Sequence, residues 1–145
     1  MKTSARNHYS GSVMNIRHGT VNDEVEVFLE GSNTKITSVI TNSSAKSLGL
    51  EPGKRVSVLI KASWVVLISD SDGVKFSAGN NLPGTVVSVK CDAVNAEVNM
   101  RLDGGEPLAA MVTESLAKKL DIKAGDRFSA LFEASNVILG VDTSN

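Results

Sequence analysis

The chain has 145 residues, of which 41% are hydrophobic and 21% are charged, a balance typical of a folded protein rather than a disordered one. Its net charge of −1 and its aromatic content of 4% supply neither the basic surface nor the stacking rings of a general nucleic-acid binder. The single cysteine, Cys91, excludes an internal disulfide and a multi-thiolate metal site. The N-terminus lacks the apolar core of a signal peptide, and the longest apolar run is too short to cross a bilayer. We therefore expect a cytoplasmic protein with neither nucleic acid nor membrane as a partner.

The first half of the chain carries the sequence patterns of β-strands and one short helix. Runs of β-branched and aliphatic residues, separated by turn-rich clusters, predict five short strands around residues 13–16, 21–29, 36–40, 56–61 and 65–68. Between the third and fourth strands the sequence predicts a short helix, which Asn42 or Ser43 can cap and which ends at Gly49 in a left-handed conformation. Five short strands and one helix in so few residues favour a small closed barrel of the OB type, because closure removes exposed strand edges.

The second half of the chain repeats the first. Ser4-Ala5-Arg6-Asn7 recurs 73 residues later, and so does the pattern Val-Asn-x-Glu-Val at residues 21–25. From Thr41 onward the offset is 72, which predicts one extra residue in the first copy near Ile40. The sequence thus predicts an all-β protein of two domains, residues 1–69 and 77–145, joined by a polar linker at residues 70–76.

The candidate chemistry is not catalytic. His8 and His18 occur in the first copy alone without a metal-ligand spacing partner, and we interpret them as surface or turn residues. Cys91 precedes a turn and is interpreted as a small core or surface residue rather than a nucleophile. Neither a Ser-His-Asp order nor a phosphate-binding loop is present. We therefore expect no enzyme, no cofactor and no metal bound directly by protein side chains.

With catalytic residues excluded, the remaining candidates for function are small polar residues and two cations at the ends of strands and of the helix. They lie at residues 4–7 before the first strand, at residues 41–44 where the helix opens, and at residues 61–63 where the fourth strand ends. Hydroxyls, backbone N–H groups and one or two cations suit an anion with several acceptor oxygens. The alternative is that Thr41 and Ser44 only cap the helix while Arg6 and Lys61 are solvated. Composition alone leaves both interpretations open.

The same residues carry a resemblance to a known family. Ser-Ala-Arg-Asn, Val-Asn-x-Glu-Val, Thr-x-x-Ser before a helix, Leu-Gly-Leu-x-Pro-Gly and Lys-Ala-Ser follow one another in an order that resembles the Mop or TOBE domain. The doubled form resembles the molbindins of the ModG type, which carry a tandem pair of Mop domains. The resemblance implies two OB-like five-stranded barrels, each with one short helix, in a homotrimer. It also implies cytoplasmic binding of molybdate or tungstate for storage or homeostasis.

The resemblance further implies sites between domains. One domain would supply Ser4, Ala5, Arg6 and Asn7, and a neighbour would supply Thr41, Ser44, Lys61, Ala62 and Ser63. The matching positions of the second copy are Ser77, Ala78, Gly79, Asn80, Thr113, Ala134 and Ser135. Further sites near the threefold axis would use Val21, Asn22, Val94 and Asn95.

The second copy departs from the pattern at three positions. Gly79 stands in place of the arginine, Leu116 in place of the helix-start serine and Glu133 in place of the lysine. Each change removes a donor, and Glu133 would repel a dianion, so we expect the two copies to bind unequally. If Arg6 pairs with Lys61 of a neighbouring chain, some complete sites survive. If Arg6 instead faces Glu133, while Lys61 faces Gly79, every site is incomplete.

Two further functions stay open at this point. One is an OB-like nucleic-acid-binding module, which the composition disfavours. The other is a regulatory or assembly TOBE module whose anion sites are degenerate. The sequence does not distinguish molybdate from tungstate, nor storage from delivery.

Overall fold

The computed structural model describes residues 1–69 and 73–143. Its elements in chain order are β1 (Asn7–His18), β2 (Asn22–Leu29), β3 (Lys35–Thr41), α1 (Asn42–Leu48), β4 (Arg55–Ile60), a 3₁₀ turn (Ala62–Trp64), β5 (Val66–Ile68), β6 (Asn80–Cys91), β7 (Asn95–Leu102), β8 (Pro107–Thr113), α2 (Glu114–Lys119), β9 (Arg127–Phe132), a second 3₁₀ turn (Ala134–Asn136) and β10 (Ile138–Gly140). Among the described residues, no helix is long and apolar enough to cross a membrane.

These elements form two compact units that do not coincide with the two sequence repeats. The first unit contains Met1–Ile60 and the described residues from Glu133 onward, and the second contains Lys61–Phe132. The strand orders are β10-β4-β1-β2-β3 in the first unit and β5-β9-β6-β7-β8 in the second, with antiparallel neighbours throughout. Each sheet is thus the predicted five-stranded set, but its short edge strand comes from the other repeat.

This exchange of strands changes the domain boundaries expected from the sequence. β10 pairs with β4, placing Leu139 opposite Val58, and β5 pairs with β9, placing Leu67 opposite Ala130. The units therefore divide at residues 60/61 and 132/133, whereas the sequence predicted domains of residues 1–69 and 77–145. The predicted linker, residues 70–76, lies partly outside the described residues, since 70–72 are not described.

Each sheet buries one face, because alternate residues of a strand point to the same side. The fully buried side chains of the first unit include Val25, Val27, Ile36, Val58 and Ile60, and those of the second include Val86, Val98, Met100, Leu108 and Phe132. In the first unit, the hydroxyl of Ser38 on edge strand β3 donates a buried hydrogen bond to the carbonyl of Val137, which precedes the opposite edge strand. The sheet is therefore curled, and the expected all-β, OB-like architecture with one short helix per unit is confirmed.

The extra residue of the first copy lies in a turn, not near Ile40 as the sequence suggested. The backbone N–H of Leu29 bonds to the carbonyl of Thr34, whereas the equivalent Leu102 bonds to Glu106, one residue nearer. A turn absorbs an added residue easily, whereas an insertion within β3 would move its side chains to the wrong face of the sheet. The registers of β2 with β3 and of β7 with β8 consequently match in the two units.

Candidate anion-binding site

The start of α1 carries a hydroxyl pair. Thr41, the last residue of β3, is the N-cap: its Oγ1 accepts the backbone N–H of Ser44 at 3.0 Å and donates to the Ser44 hydroxyl at 2.9 Å. The sequence had predicted Asn42 or Ser43 as the cap. The left-handed conformation predicted for Gly49 at the other end is confirmed, with φ of 64°. A hydroxyl has one donor hydrogen, and that of Thr41 is given to Ser44, so the hydroxyl hydrogen of Ser44 is the donor that this pair can offer to a ligand.

The hydroxyl pair lies beside a surface cavity of about 540 Å³ within the first unit. Ser135, from the 3₁₀ turn that precedes β10, lines the same cavity, and so do Ser43 and Ser47 of the helix. Five hydroxyls therefore surround one recess, which suits an acceptor-rich anion. Sequence reasoning included Ser43 among the polar residues 41–44 but did not select Ser47. The spacing of four residues between Ser43 and Ser47, about one helical turn, is the signal that could have identified Ser47.

Lys61, Ala62 and Ser63 belong to the second unit, whereas Thr41 and Ser44 belong to the first. Lys61 is exposed, and its Nζ lies 5.8 Å from the centre of the Trp64 ring. Ala62 is buried and Ser63 is exposed. The turn that these residues form contacts β8, the strand that ends at Thr113. Within the described units, the Lys-Ala-Ser turn of the first repeat thus accompanies the helix of the second repeat.

The start of α2 has fewer donors than the start of α1. Thr113 caps this helix by accepting the backbone N–H of Leu116 at 3.2 Å, and its hydroxyl lies 3.4 Å from that of Ser115. Leu116, at the position of Ser44, is 41% exposed. Glu114 is hydrogen-bonded to Lys118, and this bond raises the pKa of Lys118. A leucine and a carboxylate thus stand where the first unit has polar neutral residues.

The two Ser-Ala-x-Asn segments lead into the longest strand of each sheet. Ser4 and Arg6 are exposed and Ala5 is half-buried, while its backbone N–H bonds to the hydroxyl of Thr3. Asn7 is 3% exposed and begins β1 opposite Ile60. The equivalents repeat this placement: Ser77 and Gly79 are exposed, Ala78 is half-buried, and Asn80 is buried opposite Phe132. The asparagines are therefore parts of the strand framework, and Arg6 is the exposed cation.

The Val-Asn pairs, which the resemblance assigned to separate sites, adjoin the helix starts. The carbonyl of Val21 accepts the backbone N–H of Asn42, and Asn22 lies opposite Thr41 in the sheet. The carbonyl of Val94 likewise accepts the N–H of Glu114, and Asn95 lies opposite Thr113. Val21 and Val94 are 67% and 69% exposed. Two groups of predicted residues therefore meet at one place in each unit.

A carboxylate holds the turn before the second Val-Asn pair. Asp92 Oδ1 accepts the backbone N–H groups of Asn95 and Val94, both at 2.8 Å. These bonds, that from Asn95 first, lower the pKa of the Asp92 carboxyl. The Asp92 side chain thus fixes this turn by bonding to its backbone, and this determines where Asn95 begins β7.

The other candidate groups of the sequence lie apart from this site or have structural partners. His8 is exposed on β1, and Cys91 is exposed at the end of β6. His18 is exposed but contacts the buried Asp23. Within residues 1–69 and 73–143, no group of three or more His, Cys, Asp or Glu side chains is placed to hold a metal ion.

Each unit is a curled five-stranded sheet with one short helix that is capped by a threonine, and the first unit has a recess lined by hydroxyls. These features define a protein built from two small β-barrel domains. The TOBE domain family matches residues 3–67 and 77–139, and the chain belongs to this family.

One solved structure aligns with almost the whole chain. It is a crystal structure of the cytoplasmic molybdate-binding protein ModG with molybdate bound, with a TM-score of 0.92 and 46% sequence identity over 98% of this chain and 100% of that one.

Two curated relatives are longer. The molybdenum transport protein ModE of Azotobacter vinelandii is 40% identical over 97% of this chain and 52% of its own length. The transcriptional regulator ModE of Yersinia pestis is 37% identical over 96% of this chain and 52% of its own length. The chain thus spans about half the length of these relatives.

Proposed function

We propose that this protein binds molybdate or tungstate in the cytoplasm, without a catalytic step, as a store or buffer of the oxyanion. The observation that carries the proposal is its likeness to ModG over essentially the full length of both chains, at 46% identity. The recess lined by Thr41, Ser44 and Ser135 supports it independently, because its hydroxyls can donate to the oxygens of a tetrahedral dianion.

The chemistry of such a site is recognition by many hydrogen bonds. Charge-assisted bonds from hydroxyls, amides and cations to an oxyanion are the stronger class of hydrogen bond. Molybdate and tungstate have nearly the same size and charge, so one site should bind both almost equally. Sulfate is smaller, and a rigid set of donors would bind it less well because the donors cannot all approach it.

We further propose a homotrimer in which sites are completed between domains. Ser4, Ala5 and Arg6 are suited to reach a neighbour because the side chains of Ser4 and Arg6 are exposed and precede β1. Mass measurement of the purified protein by light scattering tests the assembly, and a trimer is expected. A stable monomer that takes up the anion in full would contradict completion of the sites by a neighbour.

The two proposed halves of such a site differ in their residues. In the first unit, Thr41, Ser44, Ala134 and Ser135 accompany the acidic Glu133. In the second unit, Thr113, Ala62 and Ser63 accompany the cationic Lys61. We therefore propose two unequal halves, one rich in hydroxyls but carrying an acid, the other poor in hydroxyls but carrying a cation.

Calorimetric titration with molybdate tests the site. Lys61→Ala should weaken binding by about 1.5–3 kcal/mol, the scale of a hydrogen bond to a charged group. Lys119→Ala, which removes an equal charge from an exposed position at the end of α2, is the matched control and should have little effect. An unchanged affinity after Lys61→Ala removes Lys61 from the site.

Glu133→Lys tests the inequality of the halves. Replacing the acid by the cation of the other repeat should tighten the weaker class of sites and make the binding isotherm more uniform. Wild-type protein that already shows a full complement of equally tight sites would contradict the inequality. Wild-type protein that takes up neither oxyanion at micromolar concentration would refute the proposed function itself.

A regulatory module with the same anion site is a second candidate, favoured by the transcriptional regulator among the relatives. Equilibrium dialysis distinguishes the two, because a store should load close to its full number of sites. A module whose sites are degenerate should load few of them while keeping its assembly. A nucleic-acid-binding function has no comparable support.

A further inference from the structure

A buried carboxylate lies beside the first turn of α1. Asp23, at the start of β2, is 2% exposed and has two side-chain partners. The Nδ2 of Asn42 donates to its Oδ1 at 2.5 Å, and the Nδ1 of His18 lies 3.0 Å from its Oδ2. Buried carboxylates are rare unless paired, so these two contacts explain how Asp23 is accommodated.

The network connects a solvent-exposed imidazole to the proposed anion site. The His18 side chain is 74% exposed, while Asn42 is the first residue of α1 and directly follows Thr41. Asn42 is further held by its backbone N–H bond to the Val21 carbonyl and by a 3.3 Å bond from its side chain to the Gly19 carbonyl. Because Asp23 fixes Asn42, it also fixes where the Thr41 and Ser44 hydroxyls stand.

The network is absent from the second unit. At the positions of His18, Asp23 and Asn42 the second repeat has Cys91, Ala96 and Glu114. Thr113 nevertheless caps α2, so the fold does not require the network to start a helix. It occurs in the unit whose helix start has the richer set of hydroxyls.

We propose that Asp23 is a positioning residue for the oxyanion site of the first unit, acting through Asn42. The inference rests on the proposed function and deepens it, because it names a residue that holds the start of α1 in place beside the hydroxyls of the site.

The other charged groups near the network are Lys46 of α1 and Glu51, which follows the helix. Both line a cavity of about 510 Å³ together with His18 and Asp23.

Calorimetric titration of two Asp23 variants with molybdate tests positioning. Asp23→Asn keeps acceptor and donor atoms for both partners, so it should largely preserve affinity. Asp23→Ala, the residue of the second repeat, should weaken binding about five- to ten-fold, the loss of one net hydrogen bond at the site. Equal affinity of Asp23→Ala and wild type would overturn the positioning role, provided that circular dichroism shows both to be folded.

A ligand-free measurement separates this inference from the proposed function. In NMR spectra of the ligand-free protein, the amide signals of Asn42 and Ser44 should be displaced in Asp23→Ala and close to those of wild type in Asp23→Asn. Coincidence of these signals in Asp23→Ala and wild type would refute the positioning role, even in a protein that binds molybdate. Failure of the wild type to bind molybdate, with the signals displaced as expected, would refute the proposed function alone.

Discussion

The two units share a scaffold but not its polar chemistry. Both sheets have the same strand order, the same irregularity in the long strand, at Val13/Asn15 and Val86/Ser88, and a threonine cap on the helix. Three of the residues that differ are polar in the first unit and apolar in the second: Asp23, Ser38 and Ser44 correspond to Ala96, Ala110 and Leu116. The same scaffold therefore forms with different polar side chains in the two units.

The strand exchange sharpens this contrast. The residue after β4 enters the second unit, and the residue after β9 enters the first. The unit with more hydroxyls consequently carries Glu133, and the unit with fewer carries Lys61. Charge and hydrogen-bonding capacity are thus divided between the units, which a comparison of the sequence repeats alone does not reveal.

The largest effect on stability is expected from substitutions at two glycines of the scaffold that both units share. Gly11 and Gly84 stand at the same place in β1 and β6, where a Cβ would lie 2.5 Å from the Phe28 carbonyl oxygen or 2.6 Å from that of Arg101. Gly11→Ala and Gly84→Ala should each lower the free energy of unfolding by about 3 kcal/mol, because backbone atoms cannot move aside as a side chain can.

Denaturant unfolding measures both variants, with Gly140→Ala as the control. A Cβ at Gly140, also in a strand, would meet nothing within 4 Å, so this variant should be close to neutral. A loss of stability in Gly11→Ala without a similar loss in Gly84→Ala would show that the two scaffolds are not equivalent.

Much of the fold could be predicted from the sequence, because the local sequence patterns agree with the strands and the helix end that the structure shows. Alternation of apolar residues indicated the strands, and Gly49 marked the end of α1 in the conformation it adopts. The exchange of β5 and β10 could not be predicted, because both strands are short and apolar and each fits either sheet. Strand pairing of this kind depends on the path of the chain, not on the composition of the strands.

The candidate site was predictable in part. Thr41 and Ser44 stand out through the resemblance to the Mop domain, whereas local capping signals favoured Asn42 or Ser43 over the observed cap, Thr41. Which Ala-Ser turn lies beside Thr41 could not be predicted, because Ser135 lines the same cavity through the exchanged segment. The buried position of Asp23 was readable in principle, because it continues the alternation of Val25 and Val27, but its partners His18 and Asn42 come from other elements.

A smaller effect is expected where a buried hydroxyl distinguishes the units. Ser38 is fully buried and donates to the Val137 carbonyl at 2.9 Å, whereas the second unit has Ala110 at this position. Ser38→Ala should lower the free energy of unfolding by about 1–2 kcal/mol, because it leaves a buried carbonyl without this donor. Ser12→Ala, at an exposed position of β1, is the control in the same denaturation experiment. Equal stability of Ser38→Ala and wild type would mean that the sheet edges are held together without this bond.

The smallest effect concerns an exposed ion pair that is stronger in the second unit. Arg127 contacts both carboxylate oxygens of Asp103, at 2.6 and 2.9 Å, whereas Arg55 makes one bond to Glu30 at 3.1 Å. The hydrogen bond from Arg127 lowers the pKa of Asp103. A carboxyl whose pKa is lower in the folded state stabilises the fold above its unfolded pKa, and this stabilisation is lost as the pH falls through the folded value.

Thermal unfolding across the acidic range tests this difference between the pairs. Asp103→Asn should reduce the loss of melting temperature on acidification, because two parallel bonds from Arg127 hold the ionised carboxylate. Glu30→Gln, at the matching position of the first unit, is the comparison in the same experiment. The effect of Asp103→Asn should shrink in high salt, since the groups are exposed and screened. An equal response of the two variants would show that the second bond of Arg127 adds nothing in solution, and that the units differ in polar chemistry only where side chains are buried or line a recess.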